Sequence, residues 1–203
     1  MTQRGRRSSR LSGDERQEAI LVTAERLLQQ RTLEEISIED LATGAGISRP
    51  SFYFYYSSKD DVLLALLDRV ISEVQVRVAG LPREFGPDPA AAWRRSIAVF
   101  VDVFAAHRAV SAAAIAARLR NPEVHELWSA SMQTWVGYAH DAIVAERARG
   151  SAPQGMDARD LAVALNLMNE RVLSAAFNGE TPAVDEEHVL DILTGIWVRS
   201  IYN

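Results

Sequence analysis

Between Ser37 and Tyr56 the chain reads Ser-Ile-Glu-Asp-Leu-Ala-Thr-Gly-Ala-Gly-Ile-Ser-Arg-Pro-Ser-Phe-Tyr-Phe-Tyr-Tyr, and this stretch restricts the fold more than any other. Two short helices cross steeply only where the residues between them are small. Ala42, Ala45 and Gly46 meet that need, and Gly46 can take the positive φ of the turn. Leu41, Ile47 and Phe52 are placed to fill the shared core. Ser37 opens the first helix, which runs through Thr43. Ser48 is a good N-cap for the second, and Pro50 falls in its first turn, where a missing N–H does no harm. Arg49, Ser51, Tyr53 and Phe54 are left near the start of that second helix. A major groove is wide enough to admit one helix carrying such side chains. The same pattern also fits a helical hairpin in an ordinary bundle.

What flanks the hairpin favours nucleic acid. The run Phe52-Tyr-Phe-Tyr-Tyr56 is too aromatic to be buried whole in so small a domain. Rim tyrosines such as Tyr53 and Tyr55 make natural phosphate donors. Lys59, the only lysine in the chain, lies in the first turn of the next helix, where free N–H groups already favour phosphate. The net charge of −5 looks wrong for a DNA binder until it is divided. Residues 1–60 hold nine basic and nine acidic side chains, so the excess acid lies wholly in residues 61–203. Arg4, Arg6, Arg7 and Arg10 put concentrated positive charge at one end, with no acid beside it. Residues 1–12 therefore read as a disordered basic arm, residues 13–60 as a helix-turn-helix domain, and residues 61–203 as a second, helical domain.

The rest of the chain also reads as helix, with no alternating Val/Ile/Thr run to suggest a strand. Asp14 is placed to cap a helix to Gln30, with Ile20, Ala24, Leu27 and Leu28 on one face. Ser57 or Ser58 caps another, to Ala79. Beyond the Pro/Gly-rich loop 81–89, helices follow over about 90–105, 110–119, 122–149, 157–178 and 185–201. The fold class is all-α: an N-terminal three-helix helix-turn-helix domain and a C-terminal helical domain, about nine helices in all.

Three of these helices carry large apolar side chains at helical spacing: Trp93, Ile97, Phe100 and Phe104; then Trp128, Met132, Trp135 and Tyr138; then Ile196 and Trp197. Such stripes are compatible with plain core, but facing tryptophans pack poorly to full density and leave pockets between helices. Asn166, Asn169 and Glu170 share one face of an otherwise apolar helix and must find partners. They suit an inter-helix network, a subunit seam, or a polar anchor in an apolar channel. Val189, Ile192, Leu193 and Ile196 give the last helix an apolar face broader than one protomer needs.

The stretch from Ile36 to Leu67, with Gly-Ile-Ser-Arg-Pro-Ser-Phe-Tyr-Phe-Tyr-Tyr and then Ser-Lys-Asp-Asp-Val-Leu, resembles the N-terminal domain of the TetR family of bacterial regulators. One branch of that family is resembled over most of residues 4–202, through Arg4-Gly-Arg-Arg7, the 90–104 helix, Leu127 to Trp135, Ala164 to Arg171 and Ile196 to Tyr202. The resemblance implies a nine-helix Ω-shaped homodimer joined through the last two helices. It implies a ligand-responsive repressor of a pseudo-palindromic double-stranded operator, released by a small apolar effector and controlling a flavin monooxygenase gene. The DNA-contacting set would be Arg4, Arg6, Arg7, Ser37, Ser48, Arg49, Ser51, Tyr53, Phe54, Tyr55 and Lys59. The ligand site would be formed by Trp93, Ser96, Ile97, Phe100, Phe104, Trp128, Met132, Trp135, Tyr138, Asn166, Asn169, Glu170, Leu173 and Trp197. Ser96 and Ser174 depart from that branch's pattern, which bears on ligand identity. With no obvious cation in the set, the expected effector is neutral, its carbonyl or ether accepting a hydrogen bond from Asn169.

Other classes find little purchase. The chain has no cysteine, so no disulfide framework, thiolate metal site or cysteine nucleophile is possible. His107, His125, His140 and His188 stand apart without metal-ligand spacing, and neither a phosphate-binding glycine loop nor a Gly-x-Ser-x-Gly elbow occurs. No enzyme, catalytic residue, metal or cofactor is expected; a ligand carrier without a DNA role is the remaining rival. No apolar run reaches the roughly 18 residues of a membrane span, and no signal peptide follows the basic start. A cytoplasmic location is expected.

Overall fold

The computed structural model describes residues 12–81 and 85–203, and in these nine α-helices and no strands are found. The chain divides into two compact units at Leu66/Leu67. The basic arm, with Arg4, Arg6 and Arg7, lies outside the described residues.

The first unit holds α1 (Gly13–Leu28), α2 (Ile38–Gly44), α3 (Arg49–Phe52) and the start of α4 (Lys59–Ala79). α1 begins two residues earlier than an Asp14 cap would place it, with Ser12 as the cap. Ser12 Oγ accepts from the Glu15 N–H while the Glu15 carboxylate accepts from the Ser12 N–H, so two orphan donors are satisfied reciprocally. Ser37 and Asp40 build the same box on α2, and Ser48 caps α3. Of the two serines before α4, Ser58 accepts from the Asp61 N–H. Between α2 and α3, Gly46 takes φ +68°, as the turn requires. Gly44 is needed for a different reason: a Cβ there would sit 2.4 Å from Thr23 Cγ2 on α1.

Ile20, Ile36, Leu41, Phe52, Val62, Leu63 and Leu66 form the core of this unit. Ile47 is only half-buried, because it leaves the turn at the edge of the hairpin while Ala42 and Ala45 fill the crossing. The burial of Val62, Leu63 and Leu66 explains why the unit extends beyond residue 60, where the charge and motif pattern had set its end.

The second unit contains the rest of α4, with α5 (Pro89–Ala106), α6 (Arg108–Ala117), α7 (Pro122–Ala148), α8 (Ala158–Phe177) and α9 (Glu186–Tyr202). Caps and breakers set the ends: Asp88 with Pro89, Asn121 with Pro122, and Asp157. α7 packs on α8, α5 on α9, and α8 on α9. Val103, Val110, Val124, Ile143, Val189 and Leu193 are wholly buried. No single described helix is long and apolar enough to cross a membrane; α5 and α6 reach the length together but meet at 85°.

Candidate functional site

In the first unit, α3 separates two kinds of aromatic residue. Phe52 is fully buried, and Tyr56 is nearly so, its hydroxyl accepting from Gln17 Nε2 at 3.3 Å. Burial pushes the Tyr56 phenol above its ordinary pKa. Tyr53 and Phe54 face outward, 46% and 84% exposed. Arg49 donates to Tyr53 Oη at 3.5 Å, and the Ser48 and Ser51 hydroxyls meet at 2.8 Å. Ser37, Ser48 and Arg49 are exposed; Ser51 and Tyr55 are half-buried. An outward surface of hydroxyls, a guanidinium and one bare phenyl ring can donate to phosphate and touch base edges.

Lys59 does something other than extend that surface. Its ammonium donates to the carbonyls of Leu33, Glu34 and Ile36 at 2.6, 2.9 and 3.0 Å. An ammonium has three protons, and all three are engaged in closing the α1–α2 loop. Lys59 therefore acts as a clamp on this loop.

The second unit gathers every residue expected at the ligand site. Trp93, Ser96, Ile97, Phe100, Trp135, Tyr138, Asn166, Asn169 and Trp197, with Val78 and Ala139, line one cavity of about 30 Å³. Phe104, Trp128, Met132, Glu170 and Leu173 join Phe100, Trp135, Asn166 and Asn169 around a second of about 20 Å³. Each has room for a water or two. A wider cleft of about 540 Å³ shares Val78, Trp135 and Tyr138 with the first. Trp135 stands edge-on to Phe100, Phe104 and Trp128 at centroid distances of 5.2, 6.2 and 5.8 Å. Its Nε1–H is buried and has no hydrogen-bond partner among the described residues.

The polar side chains of the cavities are more engaged than their spacing suggested. Asn169 Oδ1 accepts from Trp197 Nε1 at 2.9 Å, and Asn166 Nδ2 donates to the Ala162 carbonyl at 2.8 Å. Asn169 thus joins α8 to α9 while lining the cavity, whereas Asn166 bonds back within α8. A cation is present as well: Arg118 pairs with Glu170 at 2.6 Å and lies 5.7 Å over the Trp128 ring. Arg108, Ser111, Ser174 and Phe177 line a further cavity of about 30 Å³ that shares Phe104, Trp128, Glu170 and Leu173 with the second. Arg108 and Arg118 flank the apolar stretch Val110–Ala117, and spacing alone does not aim them inward. On α9, Val189 and Leu193 are buried within the protomer, whereas Ile192 and Ile196, with Leu167 on α8, stay exposed at 45%, 36% and 50%. Half of the apolar face read on the last helix is therefore internal core. Among the described residues no cluster of three or more potential metal ligands occurs.

A capped tri-helical unit with an outward-facing short helix, joined to a helical unit with aromatic-walled cavities, points to a DNA-binding transcriptional regulator. Residues 20–66 match the family described as bacterial regulatory proteins, tetR family, and residues 93–203 match the C-terminal domain of the transcriptional regulator EthR. The chain belongs to the TetR family of transcriptional regulators and is not an enzyme. Within that family it closely resembles EthR. It is 54% identical over 200 residues to the HTH-type transcriptional regulator EthR of Mycobacterium tuberculosis, covering 98% of this chain and 93% of that one. Identity to EthR of Mycolicibacterium smegmatis is 48% over 201 residues, covering 99% and 93%. The fold recurs in a tetR-family regulator from Streptomyces coelicolor at TM-score 0.75 and 19% identity, covering 93% of this chain and 81% of that one. It also recurs in a putative regulator from Saccharomonospora viridis, solved with choline, at TM-score 0.72 and 21% identity, covering 92% and 96%.

Proposed function

We propose that this chain is a repressor that binds a pseudo-palindromic operator as a homodimer and is released by a small, neutral, apolar effector. The DNA half of the reading rests on α3, which holds Phe52 inside while presenting Arg49, Tyr53 and Phe54. Arg49 and Ser51 approach base edges, and Tyr53 and Tyr55 hold phosphate. Arg4, Arg6 and Arg7 add a basic arm. The dimer half rests on the exposed apolar residues Leu167, Ile192 and Ile196 of α8 and α9. A two-fold pairing of these helices presents two recognition helices to two half-sites.

One observation carries the effector half: among the described residues the buried Nε1–H of Trp135, a residue of the aromatic cavity wall, has no partner. An unmet donor there costs stability until an acceptor arrives. With Asn169 Oδ1 taken by Trp197 and Glu170 neutralised by Arg118, the cavity offers donors and hydrocarbon but no uncompensated charge. A ketone, amide or ether on an apolar skeleton fits that chemistry. The two narrow cavities beside Asn166 and Asn169 are too small to hold such a molecule unless their walls part, and the cleft of about 540 Å³ shares only Val78, Trp135 and Tyr138 with the first of them. Binding therefore favours a splayed conformer, and it weakens DNA affinity only as far as the ligand prefers that conformer. α4 runs without a break from the first unit into the second and is the element through which the spacing of the recognition helices changes.

The test is fluorescence anisotropy on DNA from the chain's own promoter, with and without 6-undecanone. The ketone is expected to quench or shift tryptophan emission and to release DNA over the same concentration range. Arg49→Ala is expected to cost on the order of 1–3 kcal/mol of operator binding. Emission that responds while DNA stays bound would rule out the coupling. By likeness to its branch, the regulated gene is that of a flavin monooxygenase; transcript levels after deletion test this separately.

A further inference from the structure

The end wall of the effector cavity is held by two residues that do not line it. Glu146, near the end of α7, is only 1% exposed. A carboxylate so placed needs partners to offset its lost hydration. It has two: Arg149, with which it forms an ion pair, and Tyr202, the penultimate residue, whose hydroxyl donates to it at 2.9 Å. Trp93 Nε1 donates in turn to Tyr202 Oη at 3.2 Å. An indole N–H only donates and a carboxylate only accepts, so the run Trp93 to Tyr202 to Glu146 has a single possible direction. Burial raises the Tyr202 pKa above that of a free phenol, keeping the proton that the chain requires.

Trp93 is 1% exposed, packed at 4.8 Å on Trp197 and 4.7 Å on Phe85, and forms part of the first cavity's wall. Neither Glu146 nor Tyr202 reaches that wall. With its only polar atom bound to a group outside the cavity, Trp93 presents hydrocarbon alone to whatever lies within. Trp197 behaves likewise, because its Nε1–H is bound to Asn169.

We infer that Glu146 and Tyr202 are positioning residues for ligand recognition: by holding the Trp93 N–H outside the cavity, they make that end of it accept an apolar terminus and reject a hydrogen-bonding one. The inference rests on the effector reading above. It adds that the ligand's acceptor lies along its length, near Trp135, while the end reaching Trp93 is alkyl or aryl. The chain's own C-terminal residues thereby contribute to ligand choice from outside the pocket.

Two symmetrical ketones test this, since their identical ends make binding orientation irrelevant: 6-undecanone and 1,11-dihydroxyundecan-6-one. Calorimetric titration of the full-length dimer gives the ratio of their dissociation constants. The wild type is expected to prefer the plain ketone. Tyr202→Phe releases the Trp93 N–H and should narrow that preference about five- to tenfold, the worth of one hydrogen bond. Glu146→Leu leaves Tyr202 Oη able to accept from Trp93 but without its anchor, so it should narrow the preference less than Tyr202→Phe does, whereas Glu146→Gln, which can still accept from Tyr202, should keep the wild-type ratio. A purely structural role would weaken both ketones alike and leave the ratio unmoved. An unchanged ratio in Tyr202→Phe, with operator binding intact, overturns the inference while leaving the effector reading standing. If the wild type takes up neither ketone, the effector reading fails first and the inference with it.

Discussion

The two units treat their polar groups in opposite ways. In the DNA-reading unit, serine and carboxylate boxes satisfy the helix starts, and Lys59 directs all three of its protons to loop carbonyls. In the helical unit beyond Leu66, Trp135 Nε1, Arg147 Nε and Thr194 Oγ1 are buried without partners among the described residues, and cavities remain between aromatic rings. A surface that must match a DNA groove gains from a backbone that does not shift. A sensor must keep a second arrangement within a few kcal/mol, and unmet donors and poor packing bring that arrangement closer. Rigidity and frustration are thus divided between the units, as the proposed roles of reading and switching require.

The largest effect that would test this contrast is at Lys59. Replacing it by Met keeps the stem but removes three charge-assisted hydrogen bonds, with an expected loss of about 3 kcal/mol in unfolding free energy. Operator affinity should fall with stability while the salt dependence of binding stays the same. A phosphate contact predicts the reverse: intact stability and a salt slope shallower by about one ion.

Next comes Gly44→Ala, expected to cost about 2 kcal/mol, because the new methyl meets the stiff, buried side chain of Thr23 at 2.4 Å. Adding Thr23→Ser removes the offending Cγ2 and should recover most of the loss. Thermal unfolding of the single and double variants measures the coupling. If the two changes add without recovery, the α1–α2 approach is looser than the packing indicates.

In the sensor unit the corresponding variant behaves differently. Trp135→Phe removes an unpaired donor, so stability should hold or rise, while affinity for 6-undecanone falls by about 1 kcal/mol. A comparable fall in stability would mean that the indole N–H is satisfied in the free protein, and the contrast between units would weaken.

Local features of these residues were readable from the chain, and distant pairings were not. Gly46, Ser37, Ser48, Pro122 and Asp157 mark turns and helix starts through chemistry that acts within four residues. The aromatic spacing likewise placed the cavity-lining residues on the correct helices, because period 3.6 fixes a face. The role of Lys59 depends on carbonyls 23 to 26 residues away, Trp197 meets Asn169 at a separation of 28, and Trp93 meets Tyr202 at 109. No periodicity encodes those partners. Glu146, in Ala-Glu-Arg-Ala-Arg, looks like any solvent-facing helix end, and only the fold reveals it as buried. Arg118, just past α6, is equally inconspicuous in the sequence, and its partners Glu170 and Trp128 are set by the fold.

The smallest expected effect concerns acid. Glu15, Glu35 and Asp40 are held below their ordinary pKa by hydrogen bonds to Ser12, Thr32 and Ser37 respectively, and Asp61 chiefly by Ser57. All four lie in the first unit; in the second only Glu180, paired with Arg171, shows the same downward shift among the described residues. A carboxyl group with a lowered folded pKa adds stability that is complete above its unfolded value. That stability is lost as pH falls through the folded one. The window therefore opens below about pH 4, where unfolded carboxyls begin to protonate. These groups are mostly exposed, so each contributes little and salt reduces it further. All four tryptophans lie between residues 93 and 197, so their emission reports the second unit alone, while far-ultraviolet circular dichroism reports helix throughout. On titration from pH 5 to pH 2 at low salt, helix signal should begin to fall before tryptophan emission moves, and added salt should narrow the gap. Emission that moves first would place the acid-sensitive structure in the sensor unit and reverse the assignment of rigidity drawn here.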